Sequence, residues 1–284
     1  MKHIEIVAEL TYNHLGNKDR ALKMIDAAKA VGATCVKFEL RNNPGYFKNH
    51  REVRDNKEQH EFTSAALQQV VAHCNHERID WFASIHDISS LQKVLALKPR
   101  YIKIASREAR LTPFIERVKE LVNREYPVII STGGLSFEQI KEVYKLMRGE
   151  DLTLLHTSCL YPCNTEHLNL NRIRKMKQEF SCNIGYSGHE EGIFASLYAV
   201  TLGVTYIERH FTLEDKDKQV TKGQNYFKDE LCTLGPQAFR ELVNGIRTFE
   251  QLQKQPVNDS VVAAEITRVN AYGILAWNGD VYIQ

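Results

Sequence analysis

Two lysines interrupt otherwise apolar runs: Lys37 in TCVKFEL and Lys103 in YIKIAS. An unpaired ammonium is costly to desolvate in such a setting, so each lysine needs a counter-charge. A phosphate or carboxylate ligand supplies one, and so does a structural ion pair, for instance Lys37 with Glu9 or Glu39. Two lysines in two separate runs favour the ligand. His189 in GYSGH and His210 in IERHF close consecutive runs, which puts two imidazoles within reach of one metal ion with Glu9 able to approach. The plainer alternative is a pair of hydrogen-bonded core or surface histidines. Ser106, Ser131 and Thr132 with Gly133-Gly134 offer hydroxyls and backbone N–H groups of the kind that cradle phosphate oxygens. Without the lysines they would be ordinary turn residues.

The elements that must position these groups follow from the apolar pattern. Candidate strands are Ile4–Glu9, Cys35–Glu39, Trp81–Ser84, Tyr101–Ile104, Val128–Ser131, Leu152–His156, Asn183–Tyr186 and Thr205–Glu208. Helical spacing falls between them at Lys18–Val31, Ser90–Ala96, Thr112–Val122, Phe137–Met147, Leu170–Gln178 and Ile193–Leu202, with a last helix at Gln237–Leu252. Strand–helix alternation implies a parallel sheet, and eight units imply closure, so the expected fold is α/β, a (β/α)8 TIM barrel. Glu9, Lys37, Glu39, Ser84, Lys103, Ser106, Ser131, His156, His189 and His210 then fall at C-terminal strand ends, the rim from which barrel enzymes draw catalysis. Two polar connections open at that rim, Arg41–His60 and Asp215–Asp229, and the first reads as a substrate loop.

The chain has 284 residues, 43% hydrophobic and 25% charged, enough for one barrel with a sizeable core. The expected organisation is a catalytic barrel over residues 1–255 and a short tail over 256–284, whose end WNGDVYIQ can pair as a hairpin. A net charge of +2 without a basic run argues against nucleic acid as a partner. The start MKHIEIVAEL has no apolar leader and no stretch is long enough to span a membrane, so the expected compartment is the cytoplasm. Six cysteines without paired CxxC spacing read as reduced thiols, with Cys35 and Cys182 as core residues.

Taken together, AELTYNHLGN, GATCVKFEL, YIKIASREA, VIISTGG, LLHTSCLYP, NIGYSGH and IERHFTL occur in the order and spacing of the N-acetylneuraminate (sialic acid) synthase family. The resemblance runs from about Ile4 to Glu230. It implies a (β/α)8 enzyme that condenses phosphoenolpyruvate with a sugar aldehyde, aided by manganese or magnesium, to give a 3-deoxy-2-ulosonic acid and phosphate. It further implies that Lys37, Lys103, Ser106, Ser131 and Ser187 hold phosphoenolpyruvate and that His189 and His210 bind the metal. Glu9 would act near the reacting centre with Lys37 and Lys103, Glu39, Glu108 and Tyr161 would face the sugar, and a homodimer is expected.

Departures from the family pattern cluster on the sugar side. Glu39 stands where the usual residue is Gln, Gly188 where a Ser-Asp-His motif has Asp, Cys159 where Asn is usual, and KQVTKGQNYF replaces a Gly-Pro-Asp-His stretch. The tail resembles the remnant of a linker to an antifreeze-like domain that the chain is expected to lack. These departures predict an acceptor other than N-acetylmannosamine. Two other readings compete: a barrel without turnover that serves as a binding or scaffold subunit, and a metal-dependent lyase or hydrolase. Neither has an evident use for two basic groups set into strands.

Overall fold

The computed structural model describes residues 3–41, 60–213 and 231–255, together with positions 265, 267, 268, 276, 277, 282 and 283. Eight parallel strands close into a barrel in sequence order: β1 (Glu5–Glu9), β2 (Cys35–Leu40), β3 (Asp80–Ile85), β4 (Ile102–Ile104), β5 (Val128–Ser131), β6 (Leu152–Thr157), β7 (Asn183–Gly188) and β8 (Tyr206–His210). Closure is by β8 on β1, with Glu9 level with His210. The helices are α1 (Lys18–Ala30), α2 (Ser64–Glu77), α3 (Ile88–Ala96), α4 (Thr112–Val122), α5 (Phe137–Leu146), α6 (Asn171–Glu179), α7 (Phe194–Thr201) and α8 (Pro236–Lys254). Helix α2 is an addition to the periodic segments, its pattern being diluted by Gln68, Gln69, His73 and Asn75.

Local chemistry starts several of these helices. Asn17, Thr63, Asp87 and Ser136 each accept a hydrogen bond from the backbone N–H three residues on, and the Gln139 side-chain oxygen accepts from the Ser136 backbone N–H to complete a capping box. Strand alternation then separates two apolar layers. Ile6, Ala8, Val36, Phe38, Ala83, Ile102, Ile104, Val128, Ile130, Leu154, Ile184 and Ile207 face the helices in the main core. Val7, Cys35, Phe82, Ile129, Leu155 and Tyr206 form a smaller cluster that plugs the barrel interior. Two residues further along the same inward faces the side chains turn polar, which is how a packed barrel comes to carry a polar rim.

All six cysteines are free. Among the described residues no helix is long and apolar enough to cross a membrane. The chain divides into two compact units, Met1–Glu250 and Gln251–Gln284. Within the second, Ala276–Trp277 pairs antiparallel with Tyr282–Ile283, the hairpin expected around Asn278-Gly279-Asp280. Apart from Arg41 and His60, the first polar connection lies outside the described residues, and the 215–229 segment lies wholly outside them.

Candidate active site

A cavity of about 290 Å³ opens at the C-terminal rim. Its lining includes Glu9, Lys37, Glu39, Lys103, Ser106, Glu108, Ser131, Tyr161, Ser187, His189 and His210, so the residues that the resemblance singled out come together in one place. Ser84 lines it as well. His156 does not: it points outward and its Nε2 bonds the Leu168 carbonyl at 2.8 Å, while the next residue, Thr157, takes the inward position.

On the floor, Glu208 is the residue that the sequence motifs passed over. Its carboxylate accepts from Lys103 Nζ at 2.9 and 3.0 Å, Lys37 Nζ at 3.1 Å, Ser187 Oγ at 3.0 Å and Tyr206 OH at 3.1 Å. Lys37 also meets the Glu9 carboxylate and donates to Ser84 Oγ at 3.1 Å, while Glu9 accepts from the Thr11 N–H at 2.9 Å. Lys37 is therefore ion-paired with Glu9, as the structural alternative anticipated, but Glu39 is engaged elsewhere. Burial alone would push the Glu208 carboxyl up; the Lys103 and Lys37 ammonium groups outweigh it and hold the carboxyl below the usual range. Burial draws Lys37 down to about 8, partly offset by the attraction of Glu208 and reinforced by repulsion from Lys103.

The two histidines stand at the ends of β7 and β8 with ring centroids 5.1 Å apart. Burial pushes His189 down to about 4 and His210 well below its ordinary value, so both imidazoles are neutral at pH 7. His189 Nδ1 lies 2.6 Å from the Ser158 carbonyl, which can only accept, so Nδ1 carries the proton and Nε2 offers its lone pair. His210 Nδ1 faces Cys232 Sγ at 3.9 Å. The donor set fits a divalent ion held by two Nε2 atoms with positions left for oxygen ligands. Among the described residues no third His, Cys, Asp or Glu joins them, and Glu9 is occupied by Lys37. One other ligand trio, Asp26, His73 and Glu77, sits between α1 and α2, but Lys29 already pairs with its Glu77 at 2.8 Å.

Around this floor stands a wall of paired groups. Arg41 Nη2 bonds Glu39 at 2.8 Å and the guanidinium also contacts Tyr12 OH, which donates to Glu61 at 2.5 Å. Burial raises Glu61 to about 7. His86 Nδ1 lies 3.0 Å from the buried carboxylate of Glu108. The Tyr161 ring packs on His189 at 4.1 Å between centroids. Elsewhere on the rim, Gly133 donates its N–H to Ser106 Oγ at 3.1 Å, and a Cβ on Gly133 would sit 2.6 Å from Cys159 Sγ and 2.7 Å from Ser106 Oγ. Glycine is needed there for the close approach of the two loops. Of the departures on the sugar side, Glu39 and Cys159 line the cavity and Gly188 does not.

Fold and site together define a (β/α)8-barrel enzyme whose chemistry sits at the C-terminal rim, with two lysines and a shared carboxylate below two neutral imidazoles. A profile described as the NeuB family matches residues 24–258. The chain belongs to that family. It is 33% identical over 264 residues to the N-acetylneuraminate-9-phosphate synthase of Drosophila melanogaster, covering 87% of this chain and 68% of that one. It is 29% identical to the N,N'-diacetyllegionaminic acid synthase of Campylobacter jejuni, covering 89% of this chain and 78% of that one. The crystal structure of N-acetylneuraminic acid synthetase from Leptospira borgpetersenii in complex with citrate superposes with a TM-score of 0.83 at 25% identity, over 95% of this chain and 91% of that one.

Proposed function

We propose that the chain condenses phosphoenolpyruvate with a sugar aldehyde to give a 3-deoxy-2-ulosonic acid and inorganic phosphate. The observation that carries this reading is the sharing of one buried carboxylate, Glu208, by lysines from two strands on the floor of an open cavity. Lys37, Lys103, Glu9 and Glu208 balance in charge, so a ligand bearing both phosphate and carboxylate must enter by taking over part of the lysine hydrogen bonding from Glu208. Ser106, Ser131 and Ser187 line the same cavity and complete the anion cradle. A metallohydrolase has no comparable use for that cradle.

The reaction joins C3 of phosphoenolpyruvate to the aldehyde carbon and leaves positive charge at C2. Water adds at C2 and gives up one proton while the former aldehyde oxygen takes one up, and the tetrahedral centre then breaks its C–O bond so that phosphate departs with the bridging oxygen and the proton of the C2 hydroxyl. His189 and His210 would hold a divalent ion, which would supply Lewis acidity for activating the aldehyde, and imidazole ligands would favour manganese over magnesium in that role. Lys37 and Lys103 hold the anionic groups throughout, because fixed charges in a dry cavity need no reorganisation as the phosphate leaves. Glu9, pinned by the Thr11 N–H and Lys37, positions the water and takes its proton.

Glu39, Glu108 and Tyr161 face the acceptor in this reading. The Glu39–Arg41 pair puts an acceptor-only carboxylate where an amide would both donate and accept, which supports a sugar other than N-acetylmannosamine. Free cysteines throughout accord with a reducing cytoplasm, and a homodimer is the expected assembly. Phosphate release from phosphoenolpyruvate against a panel of aldoses, with mass detection of product, tests the proposal. A product heavier than one aldose by three carbons is expected; phosphate release that is independent of every aldose would count against it.

A further inference from the structure

The cluster behind the two histidines is not used by the chemistry above. Gly188 on β7 and Arg209 on β8 are register partners that face away from the cavity, and each adjoins one of the histidines, His189 and His210. Arg209 is completely buried. Its guanidinium donates to Glu190 Oε1 at 2.8 Å, Ser196 Oγ at 3.1 Å, and the carbonyls of Glu190, Gly192 and Cys232 at 2.7, 2.6 and 3.2 Å. Glu190, also buried, accepts in addition from Tyr186 OH at 2.7 Å and Ser196 Oγ at 2.8 Å. The carboxylate of the residue after His189 is thus clamped to the guanidinium of the residue before His210.

The absence of a side chain at 188 is what makes room for the clamp. A Cβ there would stand 2.4 and 2.8 Å from the two Glu190 carboxylate oxygens and 2.9 Å from Arg209 Cδ. An Asp at 188 would therefore offer its carboxylate to the same guanidinium, and the two arrangements exclude each other. The network reaches the backing of the His210 imidazole through Cys232, and it adjoins His189 through the chain at Gly188 and Glu190. The His189 carbonyl accepts from the Cys163 N–H at 2.8 Å, and Arg209 holds the carbonyl of Cys232, whose Sγ faces His210 Nδ1. Buried ion pairs contribute little net stability compared with apolar packing, so conformational specificity is the better account of this one.

We propose that Glu190 is a positioning residue for the divalent-ion site: through Arg209 it fixes the spacing and ring orientation of His189 and His210, in place of a carboxylate at 188. The inference rests on reading those histidines as metal ligands. Its test is calorimetric titration of the full chain with Mn2+ alone, with circular dichroism to follow folding. Glu190→Gln should weaken Mn2+ binding by about 10- to 100-fold, the usual effect of losing a partner behind the ligands. Gly188→Asp alone should lower the melting temperature, whereas Gly188→Asp combined with Glu190→Ala moves the carboxylate back and should restore most of the affinity. Parent-like Mn2+ affinity in folded Glu190→Gln would overturn the proposal, and so would a folded exchange variant that binds Mn2+ no better than Glu190→Gln. A readout independent of metal is the imidazole nitrogen NMR spectrum of the metal-free protein. Glu190→Gln should shift the ring nitrogen signals of His189 and His210 from their parent positions. If the parent binds no Mn2+, the metal reading of the histidines fails, and unchanged imidazole spectra in Glu190→Gln then overturn the positioning role as well.

Discussion

The floor of the cavity and its acceptor wall are built on different terms. On the floor each polar group rides on a strand: Glu9 on β1, Lys37 on β2, Lys103 on β4, Ser187 on β7 and Glu208 on β8. Barrel register sets their separations, so the cluster cannot shift without the barrel shifting. The wall takes only Glu39 from a strand. Tyr12, Arg41, Glu61 and His86 stand in connections, and Glu108 opens a short 3-10 turn (Glu108–Arg110). On the proposed function the floor would tie phosphoenolpyruvate to the fold, while the wall would be free to change the acceptor without cost to the barrel.

Removing the floor charges should have the largest effect. Lys103→Met by itself would leave Glu208 only the Lys37 ammonium, already shared with Glu9, as counter-charge, at a cost of up to about 3–5 kcal/mol in stability. Lys103→Met combined with Glu208→Gln avoids that loss. The double variant should remain folded by circular dichroism yet bind phosphoenolpyruvate about 10- to 100-fold more weakly by calorimetry, as expected for loss of the charge-assisted contacts of Lys103. Parent-like affinity in the double variant would mean that the floor is a structural ion-pair cluster and no more.

A pH titration sharpens the same point with a smaller effect. Lys37 must be an ammonium to hold an anion, and burial lowers its proton affinity to a value of about 8. The contribution is therefore fully present below that value and lost as pH rises through it. Phosphoenolpyruvate affinity should be level between about pH 7 and 7.5 and fall by up to tenfold per pH unit above about 8. A level profile to about pH 10 would show that Lys37 does not touch the ligand.

On the wall the effects should be smaller and confined to the acceptor. Glu39→Gln restores an amide beside Arg41 and should change kcat/KM between N-acetylmannosamine and the preferred aldose by about tenfold, leaving phosphoenolpyruvate affinity unchanged. If phosphoenolpyruvate affinity falls with it, the division into floor and wall is wrong.

The same division governs what could be read before the fold was known. Lys37 and Lys103 stood out because a charge in an apolar run is anomalous wherever the strand goes. Period two would also have found Glu208, since Tyr206, Glu208 and His210 share one face of β8; the motif was read for its histidine instead. His156 shows the converse, because it was placed by its position at a strand end without the parity set by Leu155, whose side chain lies in the interior plug. Strands β7 and β8 each extend two residues past their apolar runs, into Ser187-Gly188 and Arg209-His210, where burial among partners replaces hydrophobicity. The wall was least legible, because it depends on loop conformation. Thr11 and Leu15 adopt φ of 44° and 54°, which no residue preference signals, on either side of Tyr12 as it reaches Arg41 and Glu61. Gly188, taken from sequence as a change in the sugar pocket, belongs to the clamp on Arg209 outside it.

The proposed condensation requires that phosphate leave with the bridging oxygen after a carbon–carbon bond has formed. Phosphoenolpyruvate carrying 18O in the C–O–P bridge, turned over with the aldose that gives product, reads this directly. The account predicts that the label departs in inorganic phosphate and that the sugar acid takes its C2 oxygen from water. Label retained in pyruvate or in the sugar acid would mean P–O cleavage, and would contradict the assignment of the lysine floor to a condensing synthase.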